Sequence, residues 1–403
     1  MLHPVPKLSG DDERVLGELA ELRERLKYLI AQPRKWTGLL RRTLTAAAIA
    51  GSNSIEGIVV NQSDAEAAVV GEDPTDTDAD AWHDVLGYRD ALTYVRQLAE
   101  APEFSWHPML FNGLHHIMLK HTPDTWPGRF RLGEIRVTDR ATGDVVYTGP
   151  DADSVPALMA ELSDWLNTGD LAAPPYVRAA MAHLNLASVH PWRDGNGRMS
   201  RCVHTLVMAR CGELAPEFSS IEEWLGRGRN TYDYYDALAH VQRGRFAPGG
   251  GGSGARSGGK GAGDTLAWVR FNLRAHHLQA QLVQRRAEQA SRLWTSLADL
   301  AEVEKLPGRT VTALYEAVRN GAVRRTLYQH DEELSTDQAA RDLRMLTARG
   351  LLEARGETKA RRYFVTPALI DRTSRAFEAW GELAPLREPY GDRRGGGWVA
   401  AGA

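Results

Sequence analysis

Amphipathic helical patterns recur along the first two thirds of this 403-residue chain and leave room for one short β excursion. Apolar residues such as Leu16 and Leu19 return every three or four positions, which places them on one face of a helix. The predicted helices cover residues 10–31, 37–56, 80–100, 107–120, 154–167, 174–189, 196–210 and 228–241. Residues 135–147 alternate in polarity around a Thr-Gly-Asp turn and predict a hairpin. The sequence therefore predicts a mainly α fold with one small β-hairpin.

Composition indicates an ordinary globular protein. Hydrophobic residues make up 43% and charged residues 25%, and the formal net charge is −3, so any basic surface must be local. No apolar run approaches about 20 residues, and the first residues lack the pattern of a signal peptide. Cys202 and Cys211 form neither a metal cluster nor a disulfide framework. We therefore expect a cytoplasmic protein without a membrane partner.

Residues 249–263 form the one low-complexity tract, GGGGSGARSGGKGAG. A tract of this composition cannot bury apolar surface, so we expect it to be disordered. It is interpreted either as an interdomain linker or as a long surface loop within one domain. Beyond it, the pattern predicts helices over 265–300, 310–320 and 335–349 and a closing hairpin over 351–365.

Residues 190–201, HPWRDGNGRMSR, carry the strongest chemical signal. Gly195, Asn196 and Gly197 precede an apolar-periodic helix, where successive backbone N–H groups can point into one concavity. The helix dipole also favours an anion at this end. Arg198 and Arg201 are three residues apart, so both project from one face of the first turn, and their planar guanidinium groups suit phosphate oxygens.

Asp194 and His190 complete a set of groups that suits phosphoryl or nucleotidyl transfer. Asp194 would repel a phosphate unless a hard cation such as Mg²⁺ lies between them. His190 has an ordinary pKa of about 6.5, which suits a general base near neutral pH. The alternative is a plain connection between two helices, with a packed histidine and surface arginines. A base, a metal carboxylate, an anion site and two arginines together favour the transfer site.

This segment resembles the signature of the Fic (filamentation-induced-by-cAMP) family, His-x-Phe-x-Asp/Glu-Gly-Asn-Gly-Arg-x-x-Arg. Trp192 stands where phenylalanine is usual, and it can anchor the loop in the core if its N–H finds a partner. The resemblance implies transfer of AMP from Mg²⁺·ATP to a hydroxyl side chain of a protein. It implies that His190 takes the hydroxyl proton and that Asp194 holds Mg²⁺.

The resemblance also assigns the nucleotide contacts within the signature. Asn196, with the backbone of Gly195 and Gly197, is expected to cradle the α- and β-phosphates. Arg198 is expected to contact the β-phosphate and Arg201 the γ-phosphate. Further along, Tyr234 or Tyr235 could stack on the adenine base, although core packing is equally open for a tyrosine on a helix.

A second motif lies far upstream, where residues 52–57 read SNSIEG. They resemble the family's inhibitory pattern, Ser/Thr-x-x-x-Glu-Gly/Asn, at Ser52, Glu56 and Gly57. The resemblance implies that Glu56 pairs with Arg201, which prevents that arginine from holding the γ-phosphate and places ATP in an unproductive pose. The alternative is an ordinary helix end, with Glu56 in solvent and Gly57 as a C-cap.

Softer resemblances extend the family pattern to about residue 295. Residues 128–137 resemble the strand that enters the family's β-hairpin flap, and residues 147–150 resemble its far side; such a flap holds a target segment by strand addition. Residues 264–273 resemble the family's closing helix. We therefore favour the second interpretation of the glycine tract, a loop insertion within the catalytic domain.

The C-terminal pattern resembles a winged helix-turn-helix. Arg341 and Arg344 on the helix at 335–349 would contact DNA bases, and a basic wing would hold phosphates. The wing residues are Arg355, Lys359, Arg361 and Arg362. Nearby acidic residues dilute this charge, and winged helices also serve in dimerisation or protein docking, so DNA, a protein partner and a homodimer all stay open.

These observations predict four regions. Residues 1–80 form an N-terminal helical region with the inhibitory helix at about 37–57, and residues 81–295 form the catalytic core with the insertion at 249–263. Residues 296–385 form the winged-helix module, and residues 386–403 form a flexible tail. The expected function is an autoinhibited protein adenylyltransferase that modifies Ser, Thr or Tyr, itself included, or that removes AMP. The alternative is a DNA-binding regulator whose core senses a nucleotide.

Overall fold

The computed structural model of the chain describes residues 2–31, 35–138, 143–211, 214–242, 260–357, 361–378 and 385–391. Its architecture is mainly helical, as predicted, with two small antiparallel sheets. In none of these ranges does a helix combine the length and apolarity needed to cross a lipid bilayer.

Within the described ranges up to Val303, the structure has twelve α-helices and a two-stranded sheet. In chain order these are α1 Gly10–Ile30, α2 Lys35–Ile55, α3 Gln62–Val69, α4 Ala79–Glu100, α5 Pro108–Leu119, β1 Arg136–Thr138, β2 Val145–Thr148, α6 Val155–Thr168, α7 Pro175–Val189, α8 Asn196–Arg210, α9 Pro216–Ser219, α10 Glu222–Leu225, α11 Arg229–Gln242 and α12 Lys260–Val303. All eight helices predicted before residue 242 are present, with ends within two residues of the predicted ones. The short helices α3, α9 and α10 were not predicted; Asn61 caps α3 by accepting the Asp64 N–H.

The helices α7 and α8 form the centre of the first hydrophobic core and are buried along nearly their whole length. They pack against each other, and α4, α6 and α12 cover them. Local sequence sets their ends: α7 begins at Pro175, which tolerates the first helical position, and α8 begins directly after Gly195. The connection between them is the segment 190–195, so the packing of two buried helices positions the signature loop.

The helix α2 belongs to two hydrophobic cores. Its second half packs into the first core through residues such as Ile49 and Ile55. Its first half packs into a second core through Trp36, Leu39, Leu40 and Leu44. At Gly51 a Cβ atom would lie 2.5 Å from the Glu222 carbonyl oxygen, so only glycine allows α2 to approach α10 this closely.

The C-terminal module contributes most of the second core. Its elements are α13 Thr310–Asn320, β3 Ala322–Arg324, α14 Arg325–Asp331, α15 Thr336–Ala348, β4 Leu352–Arg355, β5 Arg362–Val365 and α16 Pro367–Glu378. The strands form an antiparallel sheet in the order β3-β5-β4. The elements α13, α15, β4 and β5 were predicted; β3, α14 and α16 were not.

Buried ion pairs join this module to α2 and α3. The Arg42 guanidinium, on α2, lies 3.0 Å from Glu316 on α13 and also pairs with Asp331 at the end of α14. Glu66, on α3, pairs with Arg319 at 2.7 Å. Arg42, Glu66 and Glu316 are all nearly inaccessible to solvent. Because buried charges need partners, these contacts fix the orientation of the module on α2.

Three predicted boundaries differ from the structure. The helix α12 is continuous through residue 295, and the first core gives way to the second between Leu278 and Val283. Residues 260–263, predicted to be disordered, form the start of α12, whereas 249–259 lie outside the described residues. The predicted flexible tail begins as a docked segment: the Tyr390 hydroxyl donates to Asp12 at 3.0 Å. Residues 392–403 lie outside the described part.

Candidate active site

Two reversals of the backbone shape the signature loop. His190 caps the C-terminus of α7 with φ of 48°, and Gly195 precedes α8 with φ of 74°, both in the left-handed region. A left-handed histidine is unusual, and glycine adopts this conformation without steric cost. The two reversals turn the loop back across the N-terminus of α8. The first-turn amides of α8, which have no acceptor within the helix, therefore border the loop.

The side chain of Asn196 holds the loop together. Its Oδ1 accepts the Trp192 N–H at 3.0 Å, and its Nδ2 donates to the Trp192 carbonyl at 2.9 Å. The resemblance had assigned Asn196 to the phosphates, but both ends of its amide are engaged by the loop itself. The contribution of Asn196 to an anion site is therefore its backbone N–H, beside that of Gly197.

Trp192 anchors the loop in the core. It is fully buried and stacks on the His115 ring at a centroid distance of 4.5 Å. Its Nε1–H donates to Asn112 Oδ1 at 2.9 Å, which supplies the partner that a buried indole needs. Tryptophan therefore replaces the usual phenylalanine without leaving a buried donor unpaired.

His115 connects this anchor to the backbone of Asp194. Its Nδ1 accepts the Gly128 N–H at 2.8 Å, so its proton lies on Nε2, which donates to the Asp194 carbonyl at 3.0 Å. Burial lowers the pKa of His115 to about 4, and the ring is neutral at pH 7. No sequence motif indicated this role, because His115 lies 79 residues before Asp194.

The imidazole of His190 is held in the tautomer that a general base requires. A carbonyl can only accept, so the 3.3 Å contact with Ala187 places the proton on Nδ1 and leaves the lone pair on Nε2. Burial lowers the pKa of His190 to about 4, and Arg131 also lowers it, whereas Glu56 and Asp194 act in the opposite direction. The ring is therefore neutral at pH 7, and a polyanion beside it would raise its basicity.

Arg131 joins the signature loop to the hairpin. Its backbone N–H donates to the Pro191 carbonyl, and its Nε donates to the His190 carbonyl, both at 2.9 Å. Its Nη2 donates to the Pro150 carbonyl at 2.5 Å. Arg131 lies in the segment that was predicted to enter the flap, and no role was predicted for its side chain.

The hairpin lies beside the loop in a fixed position. Arg136 pairs with Thr148 and Val137 with Tyr147, and the Tyr147 hydroxyl donates to the Ser188 carbonyl near the end of α7. Residues 128–135, expected to enter the flap as a strand, are irregular, and β1 begins only at Arg136. Residues 139–142 of the predicted turn lie outside the described residues.

Asp194 presents its carboxylate at the mouth of the loop. The side chain is 53% exposed, and its Oδ1 accepts the Gly195 N–H at 2.7 Å. Its Oδ2 lies 3.8 Å from Nη2 of Arg198. One accessible carboxylate beside an anion site fits Mg²⁺, which takes few protein ligands and completes its shell with phosphate oxygens and water. No group of three acidic, histidine or cysteine ligands occurs among the described residues.

Arg198 is buried and has a partner that sequence analysis missed. Its Nη1 donates to Asp84 Oδ1, on α4, and the same oxygen lies 3.3 Å from Nε2 of His121. Only 5% of the Arg198 side chain is exposed. Its guanidinium thus forms an ion pair with a carboxylate 114 positions away in the sequence.

Arg201 lies against the upstream motif. Its Nη2 donates to Glu56 Oε1 at 2.8 Å and to the Ser52 carbonyl at 3.0 Å, and its Nε donates to the Ser52 hydroxyl at 2.8 Å. Burial alone would lower the pKa of Arg201, but the Glu56 carboxylate more than reverses this effect. Arg201 is therefore a buried cation that residues at the end of α2 neutralise. Its Nη1 has no hydrogen-bond partner among the described residues.

The Glu56 carboxylate occupies the space in front of Gly197. A Cβ atom at Gly197 would lie 2.5 Å from Glu56 Oε1, so the missing side chain makes room for that oxygen. Gly57, with φ of 84°, ends the helical segment just beyond Glu56, and the Tyr235 hydroxyl donates to the Ile55 carbonyl at 3.0 Å. The upstream motif and the signature thus meet in one site.

The two candidate adenine-stacking tyrosines have different surroundings. Tyr234 is 1% exposed, and its hydroxyl contacts Nε2 of His183 at 3.0 Å. It packs behind Arg201, which favours the core-packing alternative for Tyr234, and its assignment to the nucleotide pocket stays a prediction. Tyr235 is 43% exposed and lies beside the end of α2. His183 is a packed core residue, as expected.

Glu222 is a buried acid beneath the site that no motif had indicated. Its Oε1 accepts hydroxyl groups from Tyr88 at 2.9 Å and from Thr205 at 3.0 Å. Burial raises the pKa of Glu222 to about 7, although these hydrogen bonds and the charge of Arg201 act to lower it.

The basic residues predicted for DNA contact divide into two groups. Arg341 and Arg344 are exposed on α15. Arg355 pairs with Glu353 at 2.8 Å, and Arg362 pairs with Asp76 at 3.2 Å. Arg361 is exposed, and Lys359 lies outside the described residues. Two of the wing arginines are therefore neutralised by acids of the same chain.

Comparison with known proteins shows a family model, curated proteins and solved structures that resemble parts of this chain. A model of the Fic/DOC family matches residues 107–208, which include α8 up to Met208 and the whole signature loop. The Protein adenylyltransferase Fic of Nematostella vectensis is 26% identical over 246 residues, 60% of this chain and 54% of that protein. Protein adenylyltransferase fic-1 of Caenorhabditis briggsae is 41% identical over 117 residues, 29% of this chain and 21% of that protein. The chain thus spans about half of the first relative and a fifth of the second.

Solved structures share the fold. A Fic family protein from Desulfovibrio desulfuricans G20 aligns over 90% of this chain and 98% of its own, with a TM-score of 0.54 and 20% identity. Fic-1 (residues 134–508) from Caenorhabditis elegans aligns over 70% of this chain and 73% of its own, with a TM-score of 0.52 and 22% identity. The first of these alignments extends well beyond residues 107–208.

Proposed function

We propose that the protein is an autoinhibited protein adenylyltransferase, and the match of residues 107–208 to a model of the Fic/DOC family is the premise of this proposal. It would move AMP from ATP to a hydroxyl side chain of a protein. One observation carries the proposal: a neutral imidazole with a free Nε2 borders a loop where first-turn amides, Arg198 and Arg201 converge. The names of the curated relatives, protein adenylyltransferases, support the same reaction.

The reaction proceeds as an in-line displacement at the α-phosphorus. Nε2 of His190 accepts the proton of the target hydroxyl while the hydroxyl oxygen bonds to the α-phosphorus. The bond from that phosphorus to the oxygen bridging the α- and β-phosphates breaks, and pyrophosphate leaves. The amides of Asn196 and Gly197 and the two arginines stabilise the negative charge on the phosphates. The products are an AMP phosphodiester of the target, pyrophosphate and a protonated His190.

Magnesium fits this site through Asp194. The accessible carboxylate would hold the ion, and Mg²⁺ would neutralise phosphate charge that Asp194 would otherwise repel. Asp194 is oriented for this by the N–H of Gly195 and, through its carbonyl, by His115.

Autoinhibition follows from the position of Glu56. Its carboxylate neutralises Arg201 and fills the space before Gly197, so a triphosphate meets negative charge where it needs a cation. The Arg201 side chain is only 1% exposed, so without Glu56 or a phosphate it would be a buried cation lacking a counter-charge. Removal of AMP would need Glu56 as a base for water. That carboxylate is bound to Arg201 at 2.8 Å rather than held free for a water molecule, and we therefore propose transfer as the reaction.

The test is transfer of radiolabelled AMP from ATP with Mg²⁺, to the protein itself and to cell-extract proteins. We expect Glu56→Gly to label at least ten times faster than the unmodified protein, since about 1.4 kcal/mol of relief already gives that factor. Glu56→Gly with His190→Ala should not label. Glu103→Gly, at an exposed turn, is the matched control and should behave as the unmodified protein. No labelling by a folded Glu56→Gly protein would refute the proposal.

We also propose that the C-terminal module is a winged helix. The order α13-β3-α14-α15-β4-β5, with three antiparallel strands, supports this assignment. Arg341 and Arg344 are exposed, but Arg355 and Arg362 are paired with acids of the same chain. A duplex would have to displace those acids, so no observation favours a DNA-reading function over docking of the module within the chain.

A further inference from the structure

Asp84 lies outside the matched family segment, yet it makes the principal contact of Arg198. It is on the second turn of α4, and its Oδ1 accepts from Nη1 of Arg198. The Arg198 side chain is 5% exposed and that of Asp84 is 20% exposed, so solvent screens the pair only weakly. Removing either partner would therefore leave a largely buried charge without its counter-charge.

The surrounding packing holds Asp84 in this position. A Cβ atom at Gly87, one turn further along α4, would lie 2.0 Å from the Met118 carbonyl oxygen, so the backbones of α4 and α5 are in direct contact there. This close approach brings His121, just beyond α5, to 3.3 Å from Asp84 Oδ1. The packing of α4 on α5 thus sets the place of Asp84, with His121 beside it.

The two nitrogens of the Arg198 fork face different groups. Nη1 is bound to Asp84, whereas Nη2 lies 3.8 Å from Asp194 Oδ2 at the mouth of the loop. A guanidinium is planar and rigid, so holding Nη1 restricts the directions in which Nη2 can point. With Nη1 held, Nη2 is aimed toward the place where the proposed phosphates would lie.

We propose that Asp84 is a positioning residue for AMP transfer, which aims the guanidinium of Arg198 at the triphosphate. The proposal rests on the function proposed above, because only a bound polyphosphate gives the aimed nitrogen a substrate contact. Asp84 itself touches no reacting atom. A misplacement of about 1 Å in such a group can lower a rate by about a hundredfold.

The test is a double-variant cycle in the Glu56→Gly protein, where inhibition does not hide the effect. The variants are Asp84→Ala, Asp84→Glu, Arg198→Ala and the combination of Asp84→Ala with Arg198→Ala. We expect Asp84→Ala to lower kcat/KM for ATP by about 10- to 100-fold. The combined variant should be no slower than Arg198→Ala alone, and Asp84→Glu should recover part of the loss. Asp90→Ala, on the same helix and paired with Lys120 and Arg89, is the matched control.

The outcome separates positioning from a purely structural role. If Asp84 only stabilised the fold, the fold-losses in rate of Asp84→Ala and Arg198→Ala would multiply in the combined variant. Such independent effects would overturn the proposal. An unchanged rate in Asp84→Ala would also overturn it. Calorimetric binding of ATP to the same variants gives the same cycle without turnover. If the parent transfers no AMP, weaker ATP binding in Asp84→Ala with no further loss in the double variant still supports Asp84, while the transfer function fails.

Discussion

The buried acid Glu222 allows a quantitative prediction for the variant Glu222→Gln. Burial raises the pKa of Glu222 to about 7, against an ordinary value of 4.5. Below pH 4.5 the folded and unfolded chains both hold the proton, and the group has no net effect on stability. Between pH 4.5 and 7 the unfolded chain loses the proton first, so the free energy of unfolding of the unmodified protein falls as the pH rises. Above pH 7 the loss is complete, at about 3 kcal/mol.

Glutamine does not titrate and removes this pH dependence. Its carbonyl oxygen can still accept from Tyr88 and Thr205, and its nitrogen replaces Oε2, which has no hydrogen-bond partner among the described residues. Any cost of that new buried N–H is the same at every pH. The difference in free energy of unfolding, variant minus unmodified protein, should therefore become more favourable by about 3 kcal/mol between pH 4 and pH 8. Urea unfolding followed by circular dichroism at several pH values measures it.

The adjacent residue supplies a control of opposite sign. Burial acts to raise the pKa of Glu223, but hydrogen bonds from Arg286 outweigh this and hold it below its ordinary value. Glu223 thus contributes stability at neutral pH that is lost as the pH falls. Glu223→Gln should lose stability relative to the unmodified protein as the pH rises from 4 to 8. Parallel pH trends for the two variants, or a flat difference for Glu222→Gln, would refute the reasoning.

Two further predictions concern the loop anchor and the buried ion pairs. Trp192→Phe keeps the stack on His115 but leaves Asn112 Oδ1 without its donor. Thermal unfolding should show a free energy of unfolding lower by about 1 kcal/mol, with AMP transfer retained. Loss of transfer at unchanged stability would contradict the anchoring role. Arg42→Met leaves Glu316 and Asp331 without their buried cation and should cost about 3–5 kcal/mol by urea denaturation. Hydrogen exchange should also accelerate at residues 52–57, whereas Arg25→Met, at an exposed site, should change neither measurement.

Sequence could predict the loop because its chemistry is contiguous. His190, Asp194 and Arg201 lie within twelve residues of sequence. Gly195 adopts the left-handed backbone conformation that glycine favours. The spacing of a helix then fixes which side chains share a face. The eight early helices were predictable because the apolar residues of each one repeat with the 3.6-residue period of a helix, which is a local pattern.

Contacts across long sequence separations could not be predicted. Asp84, His115 and Arg131 reach the loop from 59 to 114 residues away, and nothing in their local sequence distinguishes them from other polar residues. Tyr234 and Tyr235 are adjacent, and periodicity alone did not show which of them faces the core. The predicted boundary near 295 came from the resemblance of residues 264–273 to the family's closing helix, and that resemblance did not show that α12 continues through 295 and contributes to both cores.

The double membership of α2 has a mechanical consequence. A helix of 21 residues is a stiff rod of about 32 Å. The first half of this helix packs against the C-terminal module. At its other end, Ser52 and Glu56, which lies one residue past the helix, contact Arg201. Because the helix is stiff, a rotation of the module relative to the first core would also displace the Glu56 carboxylate. A fragment that ends near residue 280 would lack the C-terminal module, and Trp36, Leu39, Leu40 and Leu44 would then be exposed to solvent.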